Sequence, residues 1–431
     1  MRRGIKMAIS VMLLSVLLSG CGLRTVGEMY CLPRRSAEFR ELQTAIDAVM
    51  TDLEYSAPRA GENRQTVQAA DLDGDGENEY LLFAKSGDEK PLRILVFGKT
   101  ESGYRLLQTI ENTGSAFDRV EYVQLDDRAG VEAVIGCQIS NQVRRTLSVY
   151  GFEENRAELL MSTGYSGFLT ADLDGCGRGE LVILSPGAAE TDPASVALCC
   201  FTQGKIQKLG EIPLSASADC VNRLAVGTLQ SGESAVFAES IVGQTLVTDV
   251  LAYRNGEFFS VRPAGEMGSG ARRACPVYAD DIDGDGVTEI PAPVPGQNAD
   301  TTRQVIRWFA LTAGGEVVDK LFAFHQLDEG WYLQLEGALA YRLRTAREGD
   351  STLFSVQDDQ QQDVPLFTVY ALTGSERERD AVLEGRFVLY RGENVVYAAA
   401  LESGAAAAGI TREKLCDGFH LNHTDWNFGE I

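Results

Sequence analysis

Three short segments place carboxylates at alternate positions and break them with glycines. They are Asp71-Leu72-Asp73-Gly74-Asp75-Gly76-Glu77-Asn78-Glu79, Asp172-Leu173-Asp174-Gly175-Cys176-Gly177-Arg178-Gly179-Glu180 and Asp281-Ile282-Asp283-Gly284-Asp285-Gly286-Val287-Thr288-Glu289. Closely spaced aspartates repel one another unless a cation sits between them. A loop that coils so that positions 1, 3, 5, 7 and 9 converge makes a cage of hard oxygens, the donor set Ca²⁺ prefers. Asp71, Asp73, Asp75, the carbonyl of Glu77 and Glu79 are the expected ligands in the first loop. Asp281, Asp283, Asp285, the carbonyl of Val287 and Glu289 are those in the last. An EF-hand would need a bidentate Glu at position 12 and an exit helix. Position 12 here is Leu82 or Ala292, and an apolar strand follows.

The middle loop keeps Asp172, Asp174 and Glu180 but has Cys176 at position 5, a soft donor that suits Ca²⁺ poorly, so a weak or empty site is expected. A fourth copy, Gln124-Leu125-Asp126-Asp127-Arg128-Ala129-Gly130-Val131-Glu132, puts Arg128 in a ligand position and should bind no metal, so that Asp126 should be dispensable. Residues 227–235 keep only the apolar frame and Gly232.

The five copies start at 71, 124, 172, 227 and 281, in steps of 53, 48, 55 and 54 residues, the mark of a repeat architecture. About four short apolar stretches fall in each period. In the first they are Glu79–Ala84, Leu92–Phe97, Tyr104–Ile110 and Val120–Leu125. Four strands per ~50 residues is the unit of a β-propeller blade. The Asp-x-Asp-x-Asp-Gly-x-x-Glu turn followed at once by an apolar strand resembles the FG-GAP/VCBS-type propeller repeats, the family that includes the integrin head. The resemblance covers residues 66–325 and lacks the Phe-Gly…Gly-Ala-Pro signature. It implies about five four-stranded blades with structural calcium between them, closed into a ring by Thr66–Leu72 as the last strand of the final blade.

Before the repeats, Phe39, Leu42, Ile46, Val49 and Leu53 mark an amphipathic helix over 36–54 that Ser36 can cap. Earlier still, Arg2, Arg3 and Lys6 precede an uncharged run from Met7 to Leu18, too short to span a bilayer as a helix. The run ends Leu18-Ser19-Gly20-Cys21, which resembles the lipobox of bacterial lipoproteins. That resemblance implies a signal peptide over 1–20, cleavage before Cys21, a lipid on its sulfur, and attachment to the outer face of the cell membrane. Residues 21–65 would then be the linker and helix. Cleavage would remove three positive charges and no negative ones, taking the net charge from -23 to -26. Such a surface does not suit nucleic-acid binding. The other eight cysteines include no CxxC pair, and they read either as buried free thiols or as one or two disulfides.

From Leu327 the period breaks, and residues 326–431 read as a small α+β domain. Strands are expected at Trp331–Leu335, Leu339–Leu343, Thr352–Val356, Pro365–Leu372, Phe387–Tyr390 and Val395–Ala400, with a short helix from Thr411 to Cys416. The domain resembles the C-terminal part of uncharacterised lipoproteins of clostridia-like bacteria. His420 and His423, near Asp417 and Asp425, read as ordinary tail residues. No nucleophile elbow, P-loop or Rossmann fingerprint is present. The expected function is a membrane-anchored binding module for a protein or glycan. A structural or assembly role in the envelope and a polysaccharide-active enzyme are the alternatives.

Overall fold

The structure is a computed structural model that describes residues 37–139, 145–153, 156–189, 191–264, 272–274, 277–295, 302–383 and 385–422. The signal segment, Ser36, Cys21, Cys31, Cys275 and His423 lie outside the described residues. No helix among the described residues is long and apolar enough to cross a membrane.

The chain is mainly β, in six antiparallel sheets of four or five strands. The first sheet joins Val67–Ala70, Glu79–Lys85, Leu92–Thr100 and Gly103–Asn112, with Glu54–Tyr55 also on Glu79–Lys85. The second joins Ala116–Val123, Glu132–Gln138, Arg145–Glu153 and Arg156–Tyr165. Gly167–Ala171, Glu180–Ser185, Ser195–Thr202 and Lys205–Pro213 form the third. Val221–Thr228, Ser234–Val242, Thr245–Arg254 and Glu257–Val261 form the fourth, with Arg272–Arg273 paired to its third strand.

Each sheet therefore starts one strand before its loop. Val67–Ala70 pairs with Glu79–Lys85 across the first Asp loop and adds no strand to a later sheet, contrary to the closure expected for Thr66–Leu72. Likewise Ala116–Val123 opens the second sheet and does not finish the first. A tight loop favours antiparallel pairing of the two strands it joins, and this local contact sets the phase.

The strands after the loops are apolar on both faces because each is packed on both sides. In Glu79–Lys85, Leu81 and Phe83 meet Phe117 and Ile135 of the second sheet. The alternate residues Leu82 and Ala84 meet Leu42 and Ile46 of helix α1, Ala37–Val49. In Glu180–Ser185, Leu181 and Ile183 face the second sheet, while Val182 and Leu184 face the fourth. Ala235 and Phe237 continue the series against Ile290, Phe309 and Leu311 of the fifth sheet. The hydrophobic clusters thus run in order from helix to sixth sheet, and among the described residues none joins the first sheet to the fifth or sixth. Helix α1 is shorter than the sequence stripe suggests. Leu42 and Ile46 are buried, but Phe39 is 51% exposed and Leu53 lies past the helix end.

In the fifth sheet the strand before the loop shrinks to the single bridge Asp280↔Glu289. Ile290–Pro293, Arg303–Leu311 and Val317–Gln326 follow. Trp331–Leu335 extends this sheet, and Phe419–Leu421 pairs on its far edge, so the boundary expected at 325/326 falls inside a continuous sheet. The sixth sheet contains Leu343–Glu348, Ser351–Gln357, Asp363–Thr373, Val395–Leu401 and Phe387–Arg391. Its Phe354 and Phe367 share a core with Phe324, Trp331 and Leu333. The expected strand at Leu339–Leu343 is instead a helical turn at Gly337–Ala340 followed by the strand from Leu343. The helix Arg412–Gly418 is capped by Thr411, whose hydroxyl accepts from the Lys414 N–H at 3.2 Å.

Candidate functional site

All the Asp loops connect the first strand of a sheet to the second, and they share one frame. The Glu at position 9 begins the second strand and is buried: Glu79, Glu132, Glu180 and Glu289 are 7%, 5%, 4% and 0% exposed. Its Oε2 accepts the N–H of position 2: Leu72 at 3.0 Å, Leu125 at 2.6 Å, Leu173 at 2.7 Å and Ile282 at 3.1 Å. In the complete loops the carboxylate at position 1 straps the turn. Asp71 accepts from Gly74 and Gly76, Asp172 from Cys176 and Gly177, and Asp281 from Gly284, Asp285 and Gly286. Gly74 and Gly76 have φ of 76° and 87°, a region L side chains avoid, and a Cβ on Gly74 would collide with Ala129 of the next loop. Neighbouring loops are tied together: Val131 N–H donates to Asp71, Gly179 to Gln124 and Thr288 to Thr228.

Donor atoms of Asp71, Asp73 and Glu79 lie within 4.8 Å of one another, as do those of Asp281, Asp283 and Asp285, and those of Asp172, Asp174 and Cys176. Asp75, Glu289 and Glu180 stand outside these groups, and Asp75 and Asp285 are engaged with the N–H groups of Glu77 and Val287. Burial, together with the aspartate charges, pushes the Glu79 carboxyl up to about 7, and the same causes push Glu289 up to about 8. A positive charge is therefore favoured beside both carboxylates. The Oε1 of Glu289 is enclosed and has no hydrogen-bond partner.

Two loops hold a side-chain cation against a carboxylate ligand. In the second, Arg128 Nε sits 3.3 Å from Asp126 Oδ2. Asp126 is only 2% exposed and also accepts the Arg128 N–H at 2.7 Å, so it has a structural task, contrary to the expectation that it is dispensable. In the fifth, Lys320 reaches in from the strand Val317–Gln326 and pairs with Asp285. No local pattern reveals it, because the partners are 35 residues apart. At the first loop Lys99 pairs with Glu77 at 3.3 Å; only the backbone carbonyl of that residue is expected to face a cation.

A second feature lies where the first strands of the sheets meet. Tyr122 donates to Gln68 at 2.7 Å and Thr170 to Glu121 at 2.8 Å, linking the first strands of the first three sheets, and Arg223 of the fourth donates to the Ala279 carbonyl at 2.9 Å, just before the fifth loop. A cavity of about 670 Å³ opens there, with Arg119, Glu121, Phe168 and Leu224 on its wall and Glu62 and Arg64 at its side. Arg119 pairs with Glu121 at 2.6 Å and lies over the Phe168 ring at 5.1 Å. No sequence motif points to this cavity, which only the convergence of separate repeats creates.

The two described histidines sit elsewhere. His325 is fully buried, its Nε2 accepts from Trp308 at 3.1 Å, and burial pushes it down to about 3. His420 stacks on Tyr332 at 5.0 Å. Cys137, Cys176, Cys199, Cys200, Cys220 and Cys416 are free thiols.

No protein-family profile and no curated protein matches the chain. Among solved structures, it is similar to Sqt1 of Chaetomium thermophilum, crystallised with the N-terminus of ribosomal protein L10, at 12% identity and a TM-score of 0.29, over 78% of this chain and 97% of that one. The exotype rhamnogalacturonan lyase YesX matches at 14% identity and a TM-score of 0.29, over 74% and 72% of the two chains. TolB from Acinetobacter baumannii matches at 9% identity and 0.23, over 76% and 68%. Alignments at these TM-scores do not establish a shared fold.

Proposed function

We propose that this protein is a lipid-anchored, extracytoplasmic binding module: a β-propeller of about five blades held by structural Ca²⁺, which takes a protein or glycan ligand at the cavity between its first strands. The observation that carries the reading is the recurrence of one loop frame before the second strand of the first, second and third sheets and again in the fifth, with backbone hydrogen bonds tying the second loop to the first, the third to the second and the fifth to the turn of the fourth sheet. The side-chain hydrogen bonds between the first strands of the first three sheets support a radial arrangement. In the first loop Asp71, Asp73, Asp75, Glu79 and the carbonyl of Glu77 would hold the ion. In the fifth, Asp281, Asp283, Asp285, Glu289 and the carbonyl of Val287 would do so. The Glu289 oxygen without a hydrogen bond and the all-oxygen side-chain set fit that ion. The cation supplies charge balance where carboxylates are buried together. Anchoring through Cys21 follows from the Leu-Ser-Gly-Cys ending.

The cavity combines an apolar floor, Phe168 and Leu224, with charged groups at its side, a composition suited to orienting one ligand. Glycan arrays and pull-downs with the calcium-loaded mature chain test this, alongside the double variant Glu62→Lys/Arg64→Glu, whose sites are exposed. A ligand lost in the variant at an unchanged melting midpoint supports the assignment. A ligand held equally by both places recognition elsewhere, and glycan breakdown by the pure protein would favour an enzyme.

A further inference from the structure

The first and fifth loops differ in where a lysine sits. In the fifth, Lys320 Nζ pairs with Asp285, lies 4.0 Å from Glu289 Oε1 and is also 3.3 Å from Gln230 Oε1. Its side chain is only 13% exposed. Gln230 belongs to the turn after Val221–Thr228, and its N–H is fixed on the Leu311 carbonyl at 2.8 Å. The lysine therefore stands between an acceptor of the fourth sheet and two metal-ligand positions of the fifth. Glu289 is entirely buried, and its Oε1 has no hydrogen bond and only the distant Lys320 charge beside it, which leaves room for a closer cation.

We propose that Lys320 is a tethered counter-cation of the fifth loop, which Ca²⁺ must displace toward Gln230, so that the fifth loop binds Ca²⁺ more weakly than the first. The proposal rests on the calcium reading above. Two positive charges cannot share Asp285 and Glu289 without mutual repulsion. Arg128 is the fixed form of the same device: it is part of its own loop and holds Asp126 directly. Lys320 comes from another strand on a flexible stem and has a neutral acceptor to withdraw to, so its charge is exchangeable. The fifth loop is then the one whose occupancy varies with calcium concentration. Its filling frees the lysine to tighten the contact between fourth and fifth sheets.

The test is calcium titration calorimetry on the full chain carrying Asp73→Ala, which disables the first loop, with and without Lys320→Met. Removing the competing charge should tighten the remaining site on the order of tenfold. Lys320→Arg, which keeps the charge, should not tighten it. In EGTA the Lys320→Met variant should melt lower than its parent, because its carboxylates have lost their counter-charge. Equal calcium affinities with and without Lys320→Met would overturn the lysine's role while leaving the calcium reading intact. Absence of calcium binding in the otherwise unaltered chain and in every variant would overturn both.

Discussion

In the loop at 124–132 a guanidinium from the loop itself lies on Asp126, and the position-9 glutamate is held by two backbone N–H groups. In the loop at 71–79 three carboxylates are drawn together, and the nearby Lys99 pairs with Glu77 instead. Both have the same frame, the same buried glutamate and the same tie to a neighbouring loop. The frame thus requires a positive charge and is indifferent to its source. Where the repeat has lost its aspartates at positions 1 and 5, arginine supplies that charge; where it keeps them, the proposed calcium ion would supply it.

The largest effect should come from removing that ion. A ligand that binds only the folded state at a hundredfold excess over its Kd contributes about 2.7 kcal/mol per site. Emptying two sites should lower the midpoint by roughly 10–20 °C, at about 2–4 °C per kcal/mol for a domain of a few hundred residues. Next, Asp73→Ala and Asp283→Ala should each cost about 2–3 kcal/mol in calcium and much less in EGTA, read from paired denaturant melts. A smaller effect, about 1–2 kcal/mol, is expected for Arg128→Met, because the pair is half-buried on the arginine side. Its cost should be the same with and without calcium, which separates the built-in cation from the bound one. Smallest of all, Cys176→Asp should restore an oxygen donor beside Asp172 and Asp174 and add one calcium ion per chain with a gain of about 1 kcal/mol. An unchanged ion count in that variant would show that Arg178, which lies beside Cys176, already fills the charge requirement.

Much of this is legible in the sequence. The Asp-x-Asp-x-Asp-Gly frame is local, so its residues locate the loops and the strand that follows each. Both-face burial follows from unbroken runs such as Leu81–Ala84 and Leu181–Leu184. The last helix starts where expected, with Thr411 as its cap, and runs two residues beyond the expected end at Cys416. What the sequence hides is non-local. Lys320 on Asp285, the cavity beside Arg119, and the strand Trp331–Leu335 joining the fifth sheet all depend on which distant segments meet. The phase error has the same root. Spacing gives a period but not its starting point, so Val67–Ala70 could pair with either neighbour until the turn geometry decided.

Balance of the buried Asp-loop carboxylates by bound calcium is the proposition on which the rest depends. It is read most directly by elemental analysis of the purified chain after dialysis in millimolar calcium, joined to its thermal midpoint with and without EGTA. Two calcium ions per chain are expected, with a midpoint that falls when they are removed. A chain that retains no calcium and melts at the same temperature in EGTA would contradict it.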